Sequence, residues 1–178
     1  MKIASALALL LAFAVVSSAS ESLVLNGTGI RTKPILGAMY ELSLSVPESL
    51  KGAEAKTLVE SDQPMEFVLE IQSRLITRAR FVETTSGGFA KAAQSGYASE
   101  KTQAFLDQFA AVEFKKGDSV VMRYADGRLA TLYRKSADGS EAQLGTIADL
   151  GLKKALFAIW LGDVPAQESL KKALLGAP

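Results

Sequence analysis

The chain has 178 residues, enough for one domain with a real core, and its 20 basic and 19 acidic side chains leave it close to neutral. It contains neither cysteine nor histidine. Those two absences exclude disulfides, thiolate nucleophiles, Ser-His triads and the usual thiolate or imidazole ligation of zinc and haem, so no metal or cofactor is expected.

The first twenty residues read as a secretory leader. Lys2 is followed by an apolar run from Ala6 to Val16 and then by Ser17-Ser18-Ala19-Ser20. The run is too short to span a bilayer, and the small residues after it suit cleavage near Ala19 or Ser20. The expectation is a soluble periplasmic or secreted protein without a transmembrane anchor, made of a leader over 1–20 and one domain over 21–178. Losing the leader removes only Lys2, so the remaining charge is balanced. A balanced chain with interspersed signs offers no electrostatic reason to bind nucleic acid or anionic lipid.

In Leu25-Asn26-Gly27-Thr28-Gly29-Ile30-Arg31-Thr32-Lys33, two glycines beside an asparagine predict a tight turn. Arg31 then stands at the mouth of an apolar strand pattern from Ile35 to Val46. Within it Tyr40, Leu42, Leu44 and Val46 share one face, and Glu41, Ser43 and Ser45 the other. Pro47 stops that strand. A short helix over Ala53 to Glu60 with Leu58 and Val59 inward precedes a second strand, Met65 to Ile71. Thr77 can cap a helix to about Gln94, with Val82, Phe89 and Ala93 on its apolar stripe and Gly87-Gly88 weakening its middle. Ser99 begins another, bearing Phe105, Leu106, Phe109 and Val112.

Strands at Ser119 to Tyr124 and Leu129 to Arg134 flank Ala125-Asp126-Gly127-Arg128, whose Asp-Gly is a hairpin signal. Asp138-Gly139 turns the chain into a short strand over Gln143 to Ile147. Asp149 caps a buried helix through Leu156, Phe157, Ile159, Trp160 and Leu161, which Gly162 stops. Pro165 opens a last amphipathic helix with Leu170, Leu174 and Leu175. Hairpin-joined strands with helices grouped in the middle and at the end predict an α+β fold, an antiparallel sheet covered by helices.

Most motifs reduce to structure. Gly27-Thr28-Gly29 lacks the third glycine of a dinucleotide loop, and the two Asp-Gly pairs lack calcium-loop spacing. Trp160 lies in a helix that is apolar nearly all round, which favours core packing over a ligand platform. Arg31 is either a structural tie, paired with a core-side glutamate, or the anion-recognition point of a pocket. Tyr40 can be a core aromatic whose hydroxyl meets a backbone carbonyl. Composition and spacing alone favour the structural reading of both.

A family resemblance shifts that balance. The run from Leu25 to Lys33, followed by Tyr40 and Pro47, resembles the opening of bacterial chalcone isomerase-like proteins. So do Phe114-Lys115-Lys116-Gly117-Asp118, the stretch Lys153-Lys154-Ala155-Leu156-Phe157-Ala158-Ile159-Trp160-Leu161-Gly162-Asp163, and Ser169-Leu170-Lys171-Lys172-Ala173-Leu174-Leu175-Gly176. The resemblance implies an open-faced β-sandwich, a large antiparallel sheet with helices layered on one face and an apolar cleft between. Plant isomerases of this family close a chalcone to a flavanone with an Arg that stabilises the attacking phenolate. Non-catalytic relatives hold a fatty-acid carboxylate with that Arg and a nearby Tyr.

Arg31 matches the shared Arg. Tyr40 falls where the isomerases carry a catalytic Thr and the fatty-acid binders their Tyr. Phe89 stands for the isomerase Tyr, Gly96 for an Asn and Ile159 for a Ser or Thr, so the network that orients a chalcone is lost while the anion clamp remains. The resemblance therefore implies an exported binder of a fatty acid or similar amphipathic carboxylate. Its ligand-binding residues would be Arg31, Tyr40, Phe89 and Ile159, with Leu42 and Leu44 as further apolar wall. The alternatives are an intramolecular lyase or isomerase, in which Arg31 would be catalytic, and a structural or partner-binding module with a self-filled cleft.

Overall fold

The computed structural model describes residues 22–176, so the leader expected over 1–20 lies outside the described residues. Six strands form one antiparallel meander in chain order: β1 (Leu23–Lys33), β2 (Gly37–Pro47), β3 (Met65–Ile71), β4 (Ser119–Ala125), β5 (Arg128–Arg134) and β6 (Glu141–Ile147). The alternation read along β2 sets its faces. Leu42, Leu44 and Val46 are wholly buried, while Glu41, Ser43 and Ser45 keep partial access to water. Leu42 pairs with Leu69 and Leu44 with Phe67, and these continue across to Val120 and Met122. The register thus lines up apolar side chains from strand to strand into one continuous floor. The β4–β5 hairpin turns at Asp126 and Gly127, whose φ angles of 52° and 72° are those a two-residue type I′ turn requires.

Among the described residues five α-helices cover the apolar floor: α1 (Ala55–Glu60), α2 (Arg78–Gln94), α3 (Thr102–Asp107), α4 (Leu150–Leu161) and α5 (Glu168–Leu174). The architecture is α+β, an open antiparallel sheet with helices on one face. Two caps act where the sequence places them. Thr77 Oγ1 accepts from the Arg80 amide at 3.3 Å, and Asp149 Oδ1 accepts from the Leu152 amide at 3.0 Å. The helix Asp149 starts is the centre of the core. Phe157 and Trp160 of α4 rest on Phe67 of the sheet, with ring centroids 4.6 and 5.1 Å apart. Among the described residues, no helix is long and apolar enough to cross a membrane.

The largest departure from the sequence reading is at Leu25 to Lys33. No turn forms there; the segment is the body of β1, and the chain reverses later, at Pro34 to Leu36. The glycines serve a close approach instead. A Cβ on Gly27 would stand 2.2 Å from the carbonyl oxygen of Ala173, and one on Gly29 would meet the Ala173 Cβ at 2.8 Å. Both glycines therefore let α5 lie directly on the β1 backbone. Asn26 is the extra residue of a bulge between Leu25 and Gly27 and fastens the contact. Its Nδ2 donates to the Leu174 carbonyl at 2.7 Å, and its Oδ1 accepts from the Gly52 amide at 2.8 Å.

Smaller differences concern helix ends. α3 stops at Asp107, and Phe109 and Val112 are buried from the turns that follow it. On α2 the buried alanine is Ala92, whereas Ala93 is exposed. α5 begins at Glu168 after Gln167 rather than at Pro165.

Lys153 is a buried cation that no pattern had singled out as such. Its three N–H donors meet the carbonyls of Leu58, Val59 and Ser61 at 2.7, 3.0 and 2.8 Å. These lie at the C-terminal end of α1, where helical carbonyls lack intrahelical partners and a positive charge is favoured. Lys153 thereby binds a six-residue helix to the central one. Burial, joined by the adjacent Lys154, pulls its pKa down to about 7, against the opposing pull of Asp62 and Glu60.

Two predictions follow from these contacts. Gly27→Ala should lower stability by roughly 1–3 kcal/mol in chemical denaturation, because backbone atoms of α5 must move away from β1. Lys153→Met, of similar length, should cost about 1–3 kcal/mol by stranding buried carbonyls. The lysine also sets a pH signature. Between about 7 and the ordinary value of 10.5 the unfolded chain binds the proton that the fold releases, so wild-type stability gains a rising contribution across that window. Denaturation of the two proteins at several pH values should show that rise in wild type and its absence in Lys153→Met.

Candidate functional site

The packing of α5 on β1 determines what stands at the far end of the strand. Gly27, Gly29 and Arg31 alternate on one face, so the helix lying over the glycines presents its N-terminal cap, Gln167, to the arginine. Arg31 Nη1 donates to Gln167 Oε1 at 2.7 Å and to the Thr32 carbonyl at 2.5 Å. The same Gln167 oxygen accepts from the Thr32 amide at 3.1 Å. Both acceptors are neutral. Among the described residues no carboxylate forms an ion pair with Arg31, so the glutamate tie weighed from the sequence is not what holds it.

Tyr40 is the cross-strand partner of Arg31 in the β1–β2 register. Directly paired residues of antiparallel strands project from the same face, which brings the guanidinium and the phenol together. Immediately beside them Met39 is the extra residue of a second bulge, between Arg31 and Thr32 on the facing strand. The bulge turns both Met39 and Tyr40 towards the space under the helices. The Tyr40 hydroxyl accepts from Trp160 Nε1 at 2.9 Å, and no acceptor for its own proton occurs among the described residues. Burial raises the Tyr40 pKa, and the Trp160 hydrogen bond and the charge of Arg31 only partly offset it. The phenol is thus a neutral hydroxyl facing the space under the helices.

That space is a cleft of about 470 Å³ between the sheet and α2. Its size falls within the usual range for small-molecule sites. Leu69 and Met122 supply its floor from the sheet, and Phe105, Leu156, Ile159 and Trp160 close it from the helical side. α2 passes close above α4 because Gly88 has no side chain; a Cβ there would come within 2.9 Å of Ile159 Cγ2. The Gly87-Gly88 pair, read from the sequence as a weak point, is where the cleft roof meets its wall.

Of the residues singled out beforehand, Arg31, Tyr40 and Ile159 line this cleft together. Phe89 does not. Its ring is buried edge-on against Phe105 at 5.8 Å, and α2 meets the cleft through Gly87 and Gly88 instead. Leu42 and Leu44 also belong to the sheet core rather than to the cleft lining. Gly96, with φ of 89°, follows α2 at its C-terminal end, away from the lining. The sequence reading missed Gln167 and assigned Trp160 to packing alone. The indole does pack on Phe67, but its N–H fixes the tyrosine, a role that only the α4–β2 juxtaposition reveals.

The sequence model of a family described as chalcone isomerase-like matches residues 12–176. The chain belongs to the chalcone isomerase-like family. Among solved structures, the crystal structure of a fatty-acid binding protein from Arabidopsis thaliana superposes with a TM-score of 0.68 over 87% of each chain, at 16% identity. At that identity the likeness shows a shared chalcone isomerase-like fold. No curated protein sequence matches the chain significantly.

Trp160→Phe tests how the clamp is built. It keeps an aromatic ring against Phe67 but removes the N–H together with part of the buried indole volume. The expected loss is about 2–4 kcal/mol of stability in urea denaturation, from the lost hydrogen bond and the vacated volume together, of which Tyr40→Phe should reproduce only the hydrogen-bond part. A large loss in Trp160→Phe with no loss in Tyr40→Phe would mean that the indole is chiefly a core-filling group.

Proposed function

We propose that this chalcone isomerase-like protein binds, without transforming it, an amphipathic carboxylate of the fatty-acid type, after export to the periplasm or beyond. The observation that carries the reading is the pairing of Arg31 and Tyr40 at one end of an apolar cleft, with only neutral partners on the guanidinium. A carboxylate placed there would accept charge-assisted hydrogen bonds from Arg31 and a neutral one from Tyr40. Its hydrocarbon would lie along Leu69, Met122 and Ile159. The fatty-acid binding protein of like fold supports the choice of ligand class, and the leader-like run from Ala6 to Val16 supports export.

Calorimetric titration of delipidated protein with a long-chain fatty acid tests the reading. Arg31→Gln keeps the reach and loses the charge, so affinity should fall by roughly 1.5–3 kcal/mol. Tyr40→Phe removes one neutral donor and should cost less, about 0.5–1.5 kcal/mol. Thermal melts should change little in Arg31→Gln, whereas Tyr40→Phe should lose about 1–3 kcal/mol of stability because the buried Trp160 N–H loses its acceptor. A chalcone absorbance assay on the same proteins separates the isomerase alternative. Wild type that binds no fatty acid yet cyclises chalcone in an Arg31-dependent way would replace the binding reading with the catalytic one. A large loss of melting temperature with no ligand to lose would favour the structural module.

A further inference from the structure

The mouth of the cleft has a composition that neither the fold nor the clamp requires. Beyond Arg31, three exposed cationic side chains line the cleft, Lys33, Arg80 and Lys91, against one acidic residue, Glu83. The near-neutral total of the chain conceals this local excess. Beside Lys33 the β1–β2 connection, Pro34-Ile35-Leu36, carries apolar side chains straight into water. Ile35 is 105% exposed and Leu36 50%, and Leu75, on the segment leading into α2, is 39% exposed. Leu36 and Leu75 both line the cleft, so the apolar tip and the basic ring surround the same opening.

Ile35 is also in the wrong conformation for its type. Its φ is 68°, in the left-handed region where a β-branched residue is strained and where glycine, asparagine or aspartate ordinarily stands. The side chain makes no compensating contribution to the core, since all of it faces solvent. A strained, fully exposed isoleucine at the rim of a cleft calls for a role outside the folded chain.

We infer that this rim docks on the surface of an anionic lipid bilayer, with Ile35, Leu36 and Leu75 entering the interfacial region and the surrounding cations meeting lipid headgroups. The inference rests on the proposed carboxylate ligand and extends it: a sparingly soluble amphiphile resides in bilayers, and the cleft opens where the protein would touch one. Charge and shape select the occupant. A protruding tip with few apolar side chains has too little contact area for a stable protein interface, whereas shallow insertion backed by basic residues suffices for reversible membrane binding. Arginine and lysine stems can lie along the hydrocarbon boundary while their charged ends stay at the headgroups.

Co-sedimentation with lipid vesicles tests the inference, using residues 21–178, which contain every described element of the fold. Wild type should bind phosphatidylcholine vesicles doped with phosphatidylglycerol, bind pure phosphatidylcholine far more weakly, and lose binding as salt is raised. Ile35→Gly relieves the backbone and removes the inserting group, so its vesicle affinity should drop roughly tenfold while its melting temperature holds or rises. Titration with decanoate, soluble as monomers, should be unchanged by that substitution. Equal vesicle binding by wild type and Ile35→Gly, or binding indifferent to lipid charge, overturns the docking. Failure on anionic vesicles with decanoate binding intact overturns it too and leaves the tip to a protein partner. Vesicle binding without decanoate binding would instead sink the carboxylate reading of the cleft.

Discussion

The close contact between β1 and α5 is the constraint on which the rest of the site depends. Only glycine at positions 27 and 29 lets the helix backbone rest on the strand backbone, and Asn26 fastens that contact through the Leu174 carbonyl while its own amide oxygen is held by the Gly52 N–H. The contact fixes where α5 starts, and so delivers Gln167 to Arg31 and Thr32. A helix displaced by a side chain's width would leave the guanidinium free to swing into water. The energetic logic is preorganisation: a long, flexible cation loses less freedom on binding when neutral acceptors already hold one of its nitrogens. The second half of the clamp is built in parallel. α4 is anchored to the sheet through Phe67 and to α1 through Lys153, and it carries the indole that orients Tyr40.

Electrostatics then favours a particular kind of occupant. Arg31 is held by a glutamine and a carbonyl, which leave its charge uncompensated by any carboxylate among the described residues. Tyr40 stays protonated because burial disfavours the phenolate. A cation and a neutral donor facing an apolar cleft are what the proposed ligand, an anion with a hydrocarbon body, would need. The mouth repeats the preference on a larger scale, with basic side chains predominating around it.

Much of the fold was legible in the sequence, for identifiable reasons. The strands Met65–Ile71 and Arg128–Arg134 alternate because one face is buried, and Asp126-Gly127 has the residues its turn needs. Thr77 and Asp149 announced their helices by local chemistry that acts within three residues. β1 was misread because the same signal, paired glycines beside an asparagine, serves either a turn or a close tertiary approach. Choosing between them needs the position of α5, some 140 residues away. The true reversal at Pro34 to Leu36 escaped notice because its apolar residues look like strand.

The site was legible in part for the same reason. Arg31 and Tyr40 came from the family resemblance, and their pairing is a local consequence of the β1–β2 register. Phe89 was placed at the cleft by alignment, yet the helical turn it occupies directs it against Phe105. Gln167 and Trp160 act only through contacts between elements distant in the chain, which no pattern along the sequence encodes. The central claim is that Arg31 and Tyr40 clamp an ionised carboxylate, and NMR of a carboxyl-labelled fatty acid bound to the protein tests it most directly. The account predicts that the bound carboxyl stays ionised as pH falls through the ordinary carboxyl range, roughly 4 to 5, and that Arg31→Gln returns it to ordinary titration. A bound carboxyl that titrates like the free acid in both proteins would contradict it.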